Sequence, residues 1–285
     1  MEITRRNVLH MALTALGGLA LGARPTAAQE KKAGRINQSW AWWCFARKNS
    51  DPAALIRESA KMGYAAVDMP PPNQWNLIRE CGMKISAIGG HGKLTDGLNR
   101  RENHDRIEQE LRKNIDAAAE VGIPNLICFS GNRGGLSDEE GLKNTVEGFK
   151  RVAKHAEEKK VALAMELLNS KVNHKDYQCD HTAWGVEVCK QVGSPAVKLL
   201  YDIYHMQIME GDIIRTIRDN IAYISHFHTG GNPGRNDLDE TQELYYPAIM
   251  RAIKETGFQG YVAHEFVPKG DPIEALKKAY ELCNV

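Results

Sequence analysis

Four acidic or histidine side chains interrupt apolar segments in the second half of the 285-residue chain, each near the C-terminal end of its segment: Glu166, Asp202, His228 and Glu265. A charged side chain inside an apolar strand costs several kcal/mol unless it is paired or bound to a metal. Three carboxylates and one imidazole suit a divalent cation such as Mn²⁺, Co²⁺, Mg²⁺ or Zn²⁺. We therefore predict one divalent metal ion on these residues; ordinary ion pairs with basic side chains are the alternative.

The elements that must position these residues alternate along the chain from residue 36 onward. Apolar segments predict eight strands, at Ile36–Phe45, Ala65–Met69, Lys84–Gly89, Asn125–Phe129, Val161–Leu168, Val197–Ile203, Ile221–Phe227 and Tyr261–Phe266. Amphipathic segments with cap signals predict eight helices, at Asp51–Met62, Asn73–Cys81, Asn103–Val121, Ser137–Lys159, Thr182–Val192, Asp212–Asn220, Pro247–Thr256 and Pro272–Cys283.

Strand–helix alternation favours a parallel sheet, and eight units favour its closure into an α/β fold of one domain, a (β/α)8 TIM barrel over residues 29–285. A doubly wound open sheet is the alternative, but no Gly-x-Gly-x-x-Gly motif follows the first strand. Active sites of such barrels form at the C-terminal ends of the strands, which is where the four predicted ligands lie.

The first 28 residues have the pattern of an export signal. Arg5 and Arg6 precede an apolar run at residues 11–21, and small residues lead to a cleavage site after Ala28. The run is too short to span a bilayer of roughly 30 Å as a helix. We predict a twin-arginine signal peptide at residues 1–28 and a periplasmic or otherwise exported protein with no membrane anchor after cleavage. An N-terminal strand or helix of the domain is the alternative.

Charge and cysteine spacing exclude several classes of partner. The formal net charge is +1, and loss of the three arginines and one glutamate within residues 1–28 makes it −1. A nearly neutral chain without a basic block argues against nucleic acid as a partner. The six cysteines are scattered with no Cys-x-x-Cys pair, so a zinc ribbon is not expected. The expected partner is a small molecule, and a homo-oligomer is compatible with the sequence.

Several motifs resemble the hydroxypyruvate isomerase family, which belongs with the ketose 3-epimerases to the xylose isomerase-like barrels. The motifs are Met165-Glu166-Leu167-Leu168-Asn169, Tyr201-Asp202-Ile203-Tyr204-His205-Met206-Gln207, Phe227-His228-Thr229, Pro233-Gly234-Arg235 and the segment from Gly260 to Pro268. The resemblance implies a metal on the four residues named above and a second role for Glu166 and Glu265 as catalytic groups that move substrate protons.

The implied chemistry is the removal of a C–H proton next to a carbonyl group, which gives an enediolate. A metal stabilises that anion, and a carboxylate and a carboxylic acid exchange the proton. By the same resemblance His205 would face the substrate oxygens, and Arg235 would bind a carboxylate or a distal hydroxyl through its two-pronged guanidinium. His91 in a Gly-rich turn is a further substrate-binding candidate. Alternatively, His205 is a core histidine, Arg235 is a solvated loop charge, and the turn with His91 binds no ligand.

Tryptophans cluster in the first predicted strand, where alternation points Trp40 and Trp42 one way and Trp43 the other. They could line a sugar pocket or pack in the core.

Three hypotheses for the function, with different substrates, are compatible with the sequence. The leading hypothesis is the interconversion of hydroxypyruvate and tartronate semialdehyde. His228 stands where hydroxypyruvate isomerases often have Gln, and the loop Asn232–Glu243 departs from the family pattern. These departures and the export signal support a second hypothesis, a ketose 3-epimerase or a keto-glycoside isomerase or lyase. A periplasmic sugar-binding barrel without catalysis is a third. A metal-dependent endonuclease of related fold is not expected from the charge.

Overall fold

The predicted apolar segments form short parallel strands, as expected for segments buried on both faces. The computed structural model of the chain describes residues 36–47 and 50–285, and the predicted signal peptide lies outside them. The described strands are β1 (Asn37–Ala41), β2 (Ala66–Asp68), β3 (Lys84–Ile85), β4 (Ala87–Gly89), β5 (Asn125–Cys128), β6 (Ala162–Glu166), β7 (Val197–Asp202), β8 (Ile224–Thr229) and β9 (Tyr261–His264).

The strands join in the order β3-β2-β1-β9-β8-β7-β6-β5-β4, and the paired strands are parallel. β3 and β4 are two parts of one predicted strand that is interrupted at Ser86. The Ser86 backbone N–H donates to the Val67 carbonyl at 3.0 Å, and the Met69 N–H donates to the Ala87 carbonyl at 2.9 Å. Because this segment also pairs with β5, the sheet is nearly closed. The predicted single-domain TIM barrel is confirmed, and the open sheet is wrong.

Helices follow the strands, as the amphipathic segments predict. The described helices are α1 (Trp42–Phe45), α2 (Pro52–Met62), α3 (Trp75–Glu80), α4 (His104–Val121), α5 (Asp138–Lys150), α6 (Ala153–Lys159), α7 (Thr182–Val192), α8 (Ile203–Met209), α9 (Ile213–Asn220), α10 (Tyr246–Glu255) and α11 (Pro272–Cys283), with 3-10 turns at Pro72–Gln74, Arg101–Asn103 and Ile221–Tyr223. Within the described ranges, none of these helices is long and apolar enough to cross a membrane.

Two further predicted elements are divided in the structure. The helix predicted at Ser137–Lys159 is the pair α5 and α6, because the backbone of Val152 leaves the helical region with φ −121°. A straight helix of that length would run about 34 Å; the break lets α5 pack against α7 while α6 packs against α4. The predicted first strand ends at Ala41, the last residue of β1 that pairs with β2. Beyond that point the chain turns into α1.

The inner face of the barrel has a small apolar layer below the predicted ligands. Ala87, Ile127, Ala164 and Leu200 form a buried cluster separate from the larger core between sheet and helices. Alternation along a strand puts Ala164 on the same face as Glu166, and Leu200 on the same face as Asp202. The predicted ligands therefore stand on an apolar floor, where a charged group must find a partner.

Candidate metal centre

The four predicted ligands converge at one rim of the barrel. Glu166 ends β6, Asp202 ends β7, His228 lies in β8, and Glu265 directly follows β9, where its N–H donates to the Thr229 carbonyl at 2.9 Å. One ligand atom from each lies within 4.8 Å of the others, and all four side chains are buried. Parallel pairing produces this meeting, since Asp202 is in register with His228 across β7 and β8.

His228 stands between the two glutamates. Its Nδ1 lies 2.7 Å from Oε2 of Glu265 and 3.5 Å from Oε1 of Glu166. Neither approach has hydrogen-bond geometry, so this buried nitrogen has no hydrogen-bond partner among the described residues. A nitrogen in that position can offer a lone pair to a cation held by the neighbouring carboxylates.

Asp202 connects the strand to the helix that follows it. Its Oδ1 accepts the backbone N–H of His205 at 3.0 Å and so caps α8, a helix absent from the sequence prediction. Its Oδ2 lies 3.2 Å from Nη2 of Arg235. One carboxylate oxygen is therefore engaged in holding the backbone, which fixes the direction of the other toward the site.

Arg235 enters the cluster from the loop after β8. Its Nη2 donates to Asp202 and to Oε2 of Glu265, and the guanidinium lies 5.4 Å from the Trp43 ring and 5.5 Å from the Tyr204 ring. The backbone of Arg235 has φ +53°, a left-handed conformation that is uncommon for a residue with a side chain. Its Nε is buried and has no hydrogen-bond partner among the described residues. Arg235 is thus not a solvated loop charge.

Trp43 is the member of the tryptophan cluster that reaches the site; the sequence left a pocket wall and core packing open for all three. Its indole Nε1 donates to Oε1 of Glu265 at 2.7 Å, although the side chain is 44% exposed. Trp40 packs in the core instead and stacks on Trp42, with ring centroids 5.8 Å apart. The helical turn α1 breaks the expected alternation and brings Trp43 to the rim.

His205 is fully buried, and its tautomer follows from its neighbours. Its Nδ1 faces the backbone N–H of Asn169 at 3.2 Å and the Asn169 side-chain amide at 2.6 Å. Since a backbone N–H can only donate, Nδ1 accepts and Nε2 carries the proton. That Nε2 lies 3.7 Å from Oδ2 of Asp202 without a hydrogen-bond partner in the described chain. His205 therefore offers an unused donor at the site.

His91 is placed differently. Its Nε2 accepts the Phe129 backbone N–H at 3.0 Å, and its ring packs edge-on against the Phe129 ring. Burial lowers the pKa of His91 to about 4, against the opposing charge of Glu110. His91 thus contacts Phe129 rather than the four predicted ligands, and its role as a substrate contact stays a prediction.

The surrounding charges and burial shift the pKa values of the two glutamates in opposite directions. Burial alone would raise the pKa of Glu265, but Arg235 and His228 outweigh it and hold that pKa well below its ordinary value. Burial raises the pKa of Glu166 above its ordinary value despite the nearby imidazole of His228. Burial likewise raises the pKa of Asp202 to about 7, although Arg235 opposes the shift.

The residues fit a divalent cation. Three buried carboxylates face one guanidinium and one imidazole, and an additional positive charge would offset their repulsion. The donors are oxygens and one imidazole nitrogen, which suit Mn²⁺, Co²⁺, Mg²⁺ or Zn²⁺ and not a thiolate-dependent metal. The buried Nδ1 of His228, which lacks a hydrogen-bond partner within the described residues, completes the set.

A cavity of about 470 Å³ lies at the other end of the barrel. Its lining includes the strand starts Asn125, Ala162 and Tyr261, and none of the predicted ligands. In TIM barrels that end contributes stability and not chemistry.

Comparison with known proteins now places the chain. The model of the xylose isomerase-like TIM barrel family matches residues 56–283, and the chain belongs to that family. Among curated relatives, the human putative hydroxypyruvate isomerase is 26% identical over 251 residues, which cover 82% of this chain and 90% of the relative. The 2-oxo-tetronate isomerase of Pectobacterium atrosepticum is 24% identical over 236 residues, covering 78% and 88%.

Solved structures support the same fold. AP endonuclease, family 2, from Brucella melitensis superposes with a TM-score of 0.71 at 23% identity, covering 85% of this chain and 97% of that one. D-psicose 3-epimerase from Clostridium cellulolyticum H10, determined with D-tagatose, superposes with a TM-score of 0.69 at 18% identity, covering 87% and 98%. With the curated relatives and the family match, the prediction that this chain is an isomerase is confirmed at the level of class.

Proposed function

We propose that this isomerase binds one divalent cation on Glu166, Asp202, His228 and Glu265 and moves a proton between the carbons of a small hydroxy-carbonyl substrate. The observation that supports the proposal is the convergence of these four side chains, from four successive strand ends, to within 4.8 Å. When bound, the cation would supply electrophilic stabilisation of the negative charge that develops on the substrate oxygens.

Glu265 and Glu166 are assigned opposite proton-transfer roles. Arg235 and His228 favour the ionised form of Glu265, so it can accept a proton, whereas burial makes Glu166 the easier of the two to protonate. A pair of carboxyl groups whose environments push their pKa values apart is the arrangement that acid–base catalysis needs. Each group is buried, so bulk water does not compete for the proton.

The substrate that we propose is hydroxypyruvate, in equilibrium with tartronate semialdehyde. Two buried donors at the site lack hydrogen-bond partners within the described chain, Nε2 of His205 and Nε of Arg235. A small acid with a neighbouring hydroxyl and carbonyl could use both, because a guanidinium recognises a carboxylate. The relatedness to hydroxypyruvate isomerases supports the same substrate.

Solvent exchange tests the assignment. The metal-loaded protein, incubated with hydroxypyruvate in D₂O, should introduce deuterium at the carbon that loses its proton, detected by ¹H NMR. No exchange with hydroxypyruvate, while the same protein exchanges a proton of a ketohexose, would exclude this substrate and keep the metal site. Tight sugar binding with no exchange for any substrate would instead support a sugar-binding barrel.

A second candidate is the epimerisation of a ketose or keto-glycoside at the same site. Trp43 favours it, because its ring is 44% exposed beside Glu265 and could stack on a sugar face. We also propose export by the twin-arginine route, which would expose the enzyme to environmental sugars. A D-ketohexose that exchanges faster than hydroxypyruvate would establish this alternative.

A further inference from the structure

A second polar cluster lies behind His228. Asp68, His226 and His228 are all fully buried, and one ligand atom from each lies within 4.8 Å of the others. Nε2 of His228 lies 2.9 Å from Oδ2 of Asp68 in a hydrogen bond, and Nε2 of His226 lies 3.2 Å from Oδ1. The cluster thus meets the candidate metal centre at one residue, whose Nδ1 faces Glu166 and Glu265 while its Nε2 faces Asp68.

The Asp68 carboxylate is held firmly in this position. Asp68 is the last residue of β2 and pairs with Ala41 of β1. Its Oδ1 accepts the hydroxyl of Ser86 at 2.6 Å, at the break between β3 and β4. Its Oδ2 accepts from Nε2 of His228 at 2.9 Å, so both oxygens of the carboxylate serve as acceptors.

We propose that Asp68 is a positioning residue for the metal ligand His228. Its carboxylate accepts the Nε2–H of His228, so that Nδ1, which faces the glutamates, is the nitrogen that would bind the cation. The His226 ring packs edge-on against the His228 ring, with centroids 5.1 Å apart, and restricts its rotation. This inference rests on the proposed metal site. A carboxylate behind a metal-bound histidine fixes its tautomer and raises its basicity.

The same three residues could instead hold a second ion, but the geometry favours positioning. Both oxygens of Asp68 already accept hydrogen bonds, from Ser86 and from His228. A second ion on Nε2 of His228 would have to displace that proton and leave an imidazolate between two metals. Three buried protein ligands, with one carboxylate among them, would also have to replace the ion's hydration shell.

Metal affinity of the Asp68→Asn variant tests the proposal. The full chain is stripped with chelator and titrated with Mn²⁺ or Zn²⁺ in competition with an indicator dye. Loss of such a supporting group typically weakens metal binding 10- to 100-fold, and we expect Asp68→Asn to bind the ion that much more weakly. The wild-type chain should bind one ion. Asp180→Asn is the matched control: Asp180 is also buried and bonded to Arg133 at 3.0 Å, and it contacts Ser170 and His181 rather than a predicted ligand. Its affinity should equal that of wild type.

Two further measurements separate positioning from a general loss of structure. In the background of His228→Asn, the Asp68→Asn change should weaken binding no further, because Asp68 acts through His228. In ¹⁵N-histidine NMR of the Zn²⁺-loaded protein, His228 should carry its proton on Nε2, and that resonance should shift in Asp68→Asn. If Asp68→Asn does not fold, Ser86→Ala keeps the carboxylate and removes one of its hydrogen bonds; it should weaken metal binding by a smaller factor.

The outcomes are distinct. A wild-type chain that binds no metal would overturn the proposed function. A wild-type chain that binds one ion, with Asp68→Asn within twofold of it, would overturn the positioning role alone. Two ions per wild-type chain, one of them lost in Asp68→Asn, would make Asp68 a ligand and would also overturn it. If Asp68→Asn does not fold, an unchanged metal affinity in Ser86→Ala would overturn the positioning role.

Discussion

Replacing Trp43 by Phe removes one hydrogen bond from the proposed base and little else. The indole Nε1 donates to Oε1 of Glu265 at 2.7 Å. The Phe ring would keep an aromatic face next to the guanidinium of Arg235, which lies 5.4 Å from the Trp43 ring. The expected defect therefore lies in the placement and charge of Glu265.

The size of the effect follows from the exposure of the donor. A hydrogen bond to a charged group contributes about 1.5–3 kcal/mol, which corresponds to roughly 10- to 150-fold in rate. Because the Trp43 side chain is 44% exposed, water can replace part of the lost bond, and the lower end applies. We expect Trp43→Phe to lower kcat/KM by about 10-fold at saturating metal.

The assay is the rate of substrate proton exchange in D₂O, with Trp42→Phe as the control. Trp42 stacks on Trp40, whereas the indole that donates to Glu265 is that of Trp43. The control should stay within twofold of wild type. Full activity in Trp43→Phe would refute the role of this hydrogen bond, and an equal loss in both variants would show that the tryptophans act through packing.

Three other outcomes are expected. Glu166→Gln and Glu265→Gln should each abolish deuterium exchange, since a missing general acid or base typically costs 10²–10⁴-fold; full exchange in either would contradict the proton-transfer roles. Burial lowers the pKa of His91 to about 4, so the unfolded chain binds the extra proton first and stability falls as pH drops from about 6.5 to 4. Between those pH values, the free energy of unfolding of His91→Gln, measured with urea, should fall by about 3 kcal/mol less than that of wild type. Identical dependence on pH in the two proteins would be inconsistent with a buried neutral His91. Chelator should lower the melting temperature, because ligand at 100 times its Kd stabilises by about 2.7 kcal/mol; no change on removal or return of metal would speak against a bound ion.

The repeating pattern of the sequence was enough to predict the barrel. Charged residues at the ends of β6 to β9 stood out because an apolar strand has no other reason to contain them. The same rule applied to β2 would have found Asp68, which ends that strand in the same way. β2 spans only three residues, so a charged residue at its end interrupts a shorter apolar segment and stands out less. His226 shares a strand face with His228 and could have been found from alternation.

Other features depend on tertiary contacts that no local pattern encodes. Trp43 reaches Glu265 only because β1 ends at Ala41 and the chain turns into α1, which depends on where its pairing partners end. The helix α8 depends on a cap from Asp202, a residue that the sequence presented only as a metal ligand. The break before α6 has no Pro or Gly at that point, and it accompanies the packing of α6 against α4.

The measurement closest to the central claim is proton exchange on hydroxypyruvate as metal is returned to the stripped protein. Exchange should be absent without metal, rise in proportion to added Mn²⁺ or another divalent ion, and level off at one ion per chain. Asp202→Asn removes one charged ligand, so this variant should need far more metal to reach its maximal exchange rate. Full exchange by the stripped protein, or binding of no ion by the wild-type chain, would contradict the account.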